Sequence, residues 1–387
     1  MFSKKINITC FNLKKKNNKK IKRLFSEILQ KKISSYKVID TFSNKYNYSY
    51  NKKKISRFKK YGAISVFGLG GSSLCIKAIY DFLRFKIKKR VYFYDNLNVT
   101  VPKTKVKNKN LDIIISKSGS TLETIINQNI FSNSKKLFIT ENKKSYLFDL
   151  ALKLKSEIIE HRNFVGGRYS ALSEVGMLPA ELLGLKSEKF KKFDNLVKNK
   201  NFINILINNV DMMYKFYLSG KTNSVILNFD KSLISLLEWY QQLLSESLGK
   251  KGKGFFPIIS NLPKDNHSLM QLYLDGNKNN FFTIFDIIDN NAPKINNKKL
   301  LSGYNFLKNK NIKSVMIAQK NAVKRVFKRQ NLKFRNFEIL KKDEESLGII
   351  FTYFMLETIL LGKVMKLNPF NQPAVESIKR ETKRILS

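Results

Sequence analysis

The chain is short of cysteine, histidine and acidic side chains. Its 387 residues include only two cysteines, Cys10 and Cys75, and two histidines. Two cysteines provide neither a disulfide framework nor the four ligands of a structural zinc site, so we expect a reducing, cytoplasmic location. Acidic residues number 29 against 73 lysines and arginines, which gives a formal net charge of +44.

This excess of positive charge raises nucleic acid as a partner. The lysines, however, are spread over the whole chain among many asparagines and isoleucines, which is typical of a general bias in composition. The sequence also shows no zinc-ligand set and no pair of aromatic RNA-binding strands. We therefore expect no nucleic-acid partner, although the charge could attract dianionic substrates and make activity sensitive to salt.

Long apolar runs are also rare. No continuous apolar run follows the basic N-terminus, so we expect no signal peptide. The most apolar stretch, 347–365, carries Glu357 near its middle, together with Gly348, Gly362 and several threonines. Because a buried charge and these residues are unfavourable in a membrane span, we expect a buried core helix there and no membrane partner.

Short apolar runs that alternate with helical patterns fill most of the chain. The predicted strands are 63–67, 91–94, 112–116, 137–139, 158–159, 224–227, 281–288 and 337–340. The main predicted helices are 74–83, 121–131, 233–248, 310–330, 345–366 and 373–386, with a mostly helical section at 170–218. Uniformly apolar strands that alternate with helices predict mainly parallel sheets covered on both faces.

The alternation stops and then resumes, which predicts an α/β fold with two successive units. Residues 1–50 are a basic segment that we expect to form helix or an arm packed on the body. We predict a first domain at 51–185 and a second domain with connecting helices at 186–366. A basic C-terminal helix is expected within 367–387.

A glycine-rich loop follows the first predicted strand, with the sequence GLGGSS at 68–73. Glycines let the backbone bend tightly and bring N–H groups close to an anion at a helix N-terminus. The spacing is not that of a dinucleotide-binding loop, because Ser73 occupies the position of the third glycine. Alone, this loop is weak evidence for anion binding, and a purely structural tight turn stays open as the less favoured alternative.

A second loop, SKSGST at 116–121, is more informative. It puts four hydroxyl groups in six residues directly after a buried strand. Hydroxyls and helix N-terminal amides are the groups that hold a phosphate monoester. Ser118 or Ser120 could instead simply cap the helix, but a cap needs one hydroxyl rather than four. Both loops should meet at the carboxyl edge of one sheet, where open α/β sheets bind ligands.

Four further side chains are candidates for chemistry. Arg168 lies beside a glycine pair, Glu246 lies at the end of a predicted helix, His267 follows an Asp-Asn pair, and Lys379 lies on the last helix. Each has an ordinary alternative: a surface ion pair, a solvated helix-end carboxylate, a packed histidine, or one more lysine in a lysine-rich chain.

Six segments, taken together, are specific enough to indicate a single protein family. They occur in the order GLGGSS, SKSGSTLET, VGGRYSALSEVGMLP, QQLLSESLGK, DNHSLMQLYLDG and PFNQPAVESIK. In this combination the chain resembles the phosphoglucose isomerase family, whose body is two sugar-isomerase (SIS) domains, over roughly residues 60–385. SKSGST alone would indicate only the wider SIS superfamily. The resemblance implies two SIS-type domains, each an α-β-α sandwich, interconversion of glucose 6-phosphate and fructose 6-phosphate, and no metal or other cofactor.

The resemblance also implies which residues bind the substrate. Gln242 and Gln372 would line the pocket. The phosphate and nearby sugar oxygens would be held by Gly71, Ser72, Ser116, Lys117, Ser118 and Thr121.

For the chemistry, the resemblance implies that Glu246 is the base that moves a proton between C1 and C2. Arg168 would stabilise the enediolate, while His267 and Lys379 would assist ring opening. In that family the histidine comes across a dimer interface, so we expect a homodimer. A proton α to a carbonyl is weakly acidic, which is why a positioned carboxylate and a stabilised oxyanion are both required.

Two alternatives stay open from the sequence. An SIS isomerase could also accept mannose 6-phosphate, because the phosphate loops do not read the C2 stereocentre. A non-catalytic sugar-phosphate sensor that binds nucleic acid would keep both loops. It would not need Glu246, His267 and Lys379 together, and their joint presence counts against it.

Overall fold

A computed structural model describes residues 4–11, 18–30, 34–98, 110–288 and 292–387. Within these residues the chain forms two five-stranded sheets, each flanked by helices. The strands are β1 Ile6–Cys10, β2 Ala63–Phe67, β3 Arg90–Tyr94, β4 Asn110–Ile115, β5 Lys135–Thr140, β6 Glu157–Glu160, β7 Asn223–Asn228, β8 Phe256–Asn261, β9 Asn280–Ile287 and β10 Phe334–Ile339. The helices are α1 Lys19–Leu29, α2 Lys52–Ser56, α3 Gly71–Phe82, α4 Leu122–Phe131, α5 Tyr146–Lys153, α6 Glu174–Leu182, α7 Ser187–Phe190, α8 Phe193–Leu196, α9 Lys200–Leu218, α10 Ile234–Leu248, α11 Met270–Asp275, α12 Ile312–Arg329, α13 Glu344–Val364 and α14 Val375–Leu386.

The first sheet is entirely parallel and has the strand order β3-β2-β4-β5-β6. Its central strand β4 is buried at every position, as expected for a strand with helices on both faces. The strands end at the same edge, and β2 and β4 lie side by side. The predicted α/β architecture is confirmed, and the two polar loops that follow β2 and β4 are neighbours.

The second sheet has the order β1-β10-β9-β7-β8, in which β7 to β10 are parallel and β1 is antiparallel at one edge. Two of its strands differ from the predictions. Strand β1 lies in the segment predicted to be helix or an arm, where Ile6 and Ile8 alternate with polar residues amid many lysines. The sequence does not predict strand β8, because it contains Pro257, a residue that sheets accept at an edge.

One large hydrophobic core joins the two units. It includes Val66 of the first sheet and Ile226 of the second, both fully buried. Helix α3, which follows β2, packs against helix α10, which follows β7. This contact matters for the site, because α3 begins at the first glycine-rich loop and α10 carries Glu246 near its end.

The most apolar helix, α13, lies inside this core. It is long and apolar enough to cross a membrane, but 89% of its most apolar window is buried in protein. Glu357 near its middle is fully buried and accepts a hydrogen bond of 2.5 Å from Nη1 of Arg335 on β10. Hydroxyls of Tyr240 and Tyr353 donate to the same carboxylate. The prediction of a buried core helix is confirmed.

Candidate active site

The two polar loops meet at the carboxyl edge of the first sheet. A Cβ atom placed on Gly68, just after β2, would lie 3.1 Å from the carbonyl oxygen of Ile115, the last residue of β4. Gly71 opens helix α3 and packs against Gly167, since a Cβ there would lie 2.1 Å from the Gly167 carbonyl carbon. Only glycine fits at position 71, so this loop is pressed against the segment that carries Arg168. Ser72 follows in the first turn of α3 and is half-buried.

The SKSGST loop presents hydroxyls of two kinds. Ser116 is buried, and its Oγ lies 2.8 Å from Oγ1 of Thr121. Ser118 and Ser120 are exposed and hydrogen-bond to each other. Thr121 occupies the N-cap position of α4, but its side chain makes no capping bond. The loop therefore leaves the helix N-terminus without a side-chain cap, which favours anion binding over the capping alternative.

Gly119 and Lys117 fix the shape of this loop. Gly119 has φ +64°, and a Cβ on it would lie 2.0 Å from Oγ of Ser145. Lys117 donates from Nζ to the carbonyl oxygen of Asn163 at 2.6 Å, and Nζ lies 3.7 Å from Glu141 Oε1. Burial lowers the pKa of Lys117, and the charge of Glu141 partly offsets this. The Lys117 ammonium thus binds the loop after β6, which contains Asn163.

Arg168 is the centre of a second group of side chains. It is 2% exposed and donates from Nη1 to Glu246 Oε1 at 2.7 Å and to Gln372 Oε1 at 2.9 Å. Its remaining acceptors are Oγ of Ser247 at 2.8 Å and the carbonyl oxygens of Pro369 and Asn371 at 2.7 and 3.3 Å. All five N–H groups of the guanidinium therefore have an acceptor.

Glu246 connects this group to the first loop. Its Oε1 pairs with Arg168, and its Oε2 accepts a hydrogen bond of 2.9 Å from Nε2 of Gln242, one helical turn earlier. That Nε2 lies close to the first loop, since a Cβ on Gly70 would be 2.8 Å from it. The predicted base, the predicted arginine and the first glycine-rich loop thus form one continuous site.

A cleft of about 590 Å³ opens beside Glu246. Residues from the end of α10, the turn that follows it and the segment before α14 form its walls. They are Gln242, Ser245, Glu246, Gly249, Lys250, Lys251, Leu367, Asn368 and Asn371 to Val375. Its size suits a small ligand.

Two predicted catalytic residues lie apart from this group. His267 is exposed and follows the 3-10 turn Lys264–Asn266. Lys379 lies on the exposed helix α14, where its Nζ pairs with Glu376 at 2.7 Å. Across the described residues, no hydrogen bond or ion pair joins either side chain to Glu246 or Arg168. Their roles stay predictions.

Sequence reasoning missed three residues that support the site. Ser247 Oγ accepts a hydrogen bond from Nε of Arg168. The hydroxyl of Tyr169 lies 2.9 Å from Ser247 Oγ and donates to the carbonyl oxygen of Pro369 at 3.2 Å. Lys250 donates to two carbonyl oxygens at the cleft. All three are members of two of the six ordered motifs, Tyr169 of VGGRYSALSEVGMLP and Ser247 and Lys250 of QQLLSESLGK, which is the signal that could have found them.

Comparisons with known proteins agree with these features. The family model of phosphoglucose isomerase matches residues 12–255. The glucose-6-phosphate isomerase of Methanocaldococcus jannaschii is 30% identical over 365 residues, covering 88% of each chain. That of Campylobacter jejuni is 30% identical over 388 residues, covering 94% of this chain and 95% of the relative. A solved structure from Thermus thermophilus, of a protein described as hypothetical, has a TM-score of 0.83 at 21% identity and covers 95% of this chain and 94% of that one.

Proposed function

Because the chain belongs to the phosphoglucose isomerase family and is therefore an aldose–ketose isomerase, we propose that it interconverts glucose 6-phosphate and fructose 6-phosphate with Glu246 as the base. The observation that carries the proposal is the 2.7 Å pair between Glu246 and the buried Arg168. A carboxylate beside a fixed cation is the pair that proton abstraction next to a carbonyl requires.

In the proposed reaction Glu246 takes the proton from C2 of the open-chain aldose. The C2–H electron pair becomes the C1–C2 double bond, and the carbonyl pair moves to O1. O1 then gains a proton as O2 loses one, and Glu246 returns its proton to C1, which leaves the carbonyl at C2. One carboxylate serves both carbons because they are adjacent, and Arg168 stabilises the negative charge on the enediolate.

The substrate must replace one acceptor of Arg168, since all five N–H groups are engaged. We expect Gln372 to yield, because its Oε1 is the uncharged side-chain acceptor that shares Nη1 with Glu246. Gln242 offers a further contact. Its Oε1 is buried and has no hydrogen-bond partner among the described residues, so a sugar hydroxyl would satisfy it.

For the phosphate, we propose the SKSGST loop and the N-terminus of α4, together with Gly71 and Ser72 at the start of α3. The uncapped helix end, the exposed Ser118 and the adjacent first loop support this assignment. No metal or organic cofactor is needed for a proton transfer of this kind.

We propose that His267 and Lys379 assist ring opening, with His267 supplied by a second copy of the chain in a homodimer. His267 is exposed, so it can reach a neighbouring subunit, and imidazole is the side chain best suited to relay protons near neutral pH. Mixing inactive Glu246→Gln and His267→Ala proteins would test this. Recovered activity is expected, because a mixed dimer has one site with both residues; no recovery under conditions of subunit exchange would contradict it.

The activity itself is tested by coupling fructose 6-phosphate consumption to NADPH formation by glucose-6-phosphate dehydrogenase. We expect turnover by the native chain, and a fall of roughly 10³-fold or more in kcat for Glu246→Gln with substrate binding retained. If no NADPH forms at any protein concentration, the proposed reaction is wrong. Near-normal turnover of Glu246→Gln would refute the assignment of Glu246 as the base. We also propose a cytoplasmic location, which the low cysteine content supports.

A further inference from the structure

Lys250 lies in the turn just after α10, four residues after Glu246. Its Nζ donates to the carbonyl oxygen of Ser247 at 2.7 Å and to the carbonyl oxygen of Asn368 at 2.6 Å. It also forms part of the wall of the cleft beside Glu246 and Gln372. No role follows for it from the proposed chemistry, which uses other residues.

The two acceptors of Lys250 belong to different parts of the site. Ser247 is in the last turn of α10, where backbone carbonyls lack partners within the helix. Asn368 begins the segment 368–372, which ends at Gln372. One ammonium therefore ties the helix that carries the base to the segment that carries Gln372.

Arg168 binds the same segment at other carbonyl oxygens. It donates to the carbonyl oxygens of Pro369 and Asn371, so residues 368–371 are held by two cations. Arg168 is buried and Lys250 is half-buried at the cleft. Between the two cations the segment has little freedom to move relative to Glu246.

The position of Gln372 matters because it shares Nη1 of Arg168 with Glu246. We propose that Lys250 is a positioning residue, which holds segment 368–372 against the end of α10 and so fixes Gln372 relative to the base. Its role in turnover rests on the proposed function. Its role in holding the segment does not depend on the proposed function, and the two roles can be measured separately.

The charge of Lys250 is sensitive to pH. Burial, and then the nearby positive charge of Arg168, lower its pKa to about 8, while the negative charge of Glu246 opposes this shift. Lys251 and Lys253 flank it in the same turn. Hydrogen bonds from a charged donor are roughly twice as strong as neutral ones, so deprotonation weakens both bonds to the carbonyls. The hold on the segment is therefore strongest below about pH 8.

The test compares three variants with the native chain between about pH 6 and 10, a range that brackets the titration of Lys250. Lys250→Met removes the ammonium, and Lys250→Arg keeps a charge that does not titrate in this range. Lys253→Met is the matched control, because it removes a lysine from the same turn that donates only a 3.3 Å bond to the Met365 carbonyl oxygen.

We expect Lys250→Met to lower kcat roughly ten-fold or more, with a smaller change in KM, and Lys253→Met to change neither by more than about two-fold. The native enzyme should lose activity above about pH 8 and Lys250→Arg should not. A Lys250→Met enzyme with native kcat overturns the proposal, and so does a Lys250→Arg enzyme whose activity falls above about pH 8 as steeply as that of the native enzyme.

Amide hydrogen exchange of the peptide covering 366–375 measures the hold directly. At one pH near 7 it should exchange faster in Lys250→Met than in the native chain or in Lys253→Met. Equal exchange in all three proteins overturns the positioning role. If the native chain lacks isomerase activity, the proposed function fails while this measurement still decides the role of Lys250.

Discussion

Replacing Arg168 by lysine keeps the positive charge at the centre of the site and removes the planar guanidinium. Arginine serves five acceptors there, with N–H groups that reach Glu246 and Ser247 on one side and the segment 369–372 on the other. A lysine offers three N–H groups from a single atom, so at least two acceptors lose their donor.

The magnitude follows from these lost bonds. Leaving a buried polar group without a partner costs about 1–3 kcal/mol, so two lost bonds cost about 2–6 kcal/mol. This cost divides between the stability of the fold and the stabilisation of the transition state. If half falls on the transition state, kcat/KM should decrease by roughly 5-fold to 150-fold, since about 1.4 kcal/mol corresponds to a factor of ten.

Two measurements on Arg168→Lys separate the two shares. The coupled assay gives kcat/KM, and urea unfolding followed by circular dichroism gives the free energy of unfolding. A kcat/KM within about two-fold of the native value, together with an unchanged free energy of unfolding, would refute the reasoning, because the lost hydrogen bonds must lower one or the other. A loss confined to stability would show that Arg168 holds the fold and does not stabilise the enediolate.

Two further predictions concern buried charges outside the site. Glu357→Gln leaves Arg335 buried without its counter-ion, so urea unfolding should show a loss of roughly 3–5 kcal/mol, and a loss below about 1 kcal/mol would contradict the ion pair's importance. Lys191 is 2% exposed and donates to the Thr41 carbonyl oxygen at 2.7 Å, and burial lowers its pKa from 10.5 to about 7. The unfolded chain then binds more protons than the folded chain between these two values. The stability difference, defined as the free energy of unfolding of the native chain minus that of Lys191→Met, should therefore rise between about pH 7 and pH 10. A difference that does not change with pH would show that Lys191 stays charged in the folded chain.

The local parts of the site could be predicted from the sequence. A strand, a loop and a helix are each encoded within about ten consecutive residues, so the sequence correctly predicts both polar loops at the ends of β2 and β4. Strands β1 and β8 escape prediction for local reasons as well. Lysines surround the alternating pattern of β1, and Pro257 interrupts the signal of β8.

The contacts between distant segments could not be predicted from spacing or periodicity. Arg168 meets Glu246 across 78 positions and Gln372 across 204. These contacts depend on how α10 packs against α3, which hydrophobic pattern alone does not determine. The motif resemblance named the three residues, but it could not show that Arg168 uses every N–H group within the chain itself.

Under the proposed function, this saturation of Arg168 restricts where a substrate oxygen would bind. The guanidinium is held by acceptors on α10 and on segment 368–372, so moving it would break several hydrogen bonds at once. It is easier for a substrate oxygen to replace Gln372 Oε1, which lies 2.9 Å from Nη1. That nitrogen also binds Glu246 Oε1 at 2.7 Å, so the replacing oxygen would lie next to the carboxylate. A proton transfer between C1 and C2 needs this arrangement, with the base beside the carbons and the cation on the oxygen attached to one of them. In the proposed reaction, the rigidity of Arg168 would thus place the substrate beside Glu246.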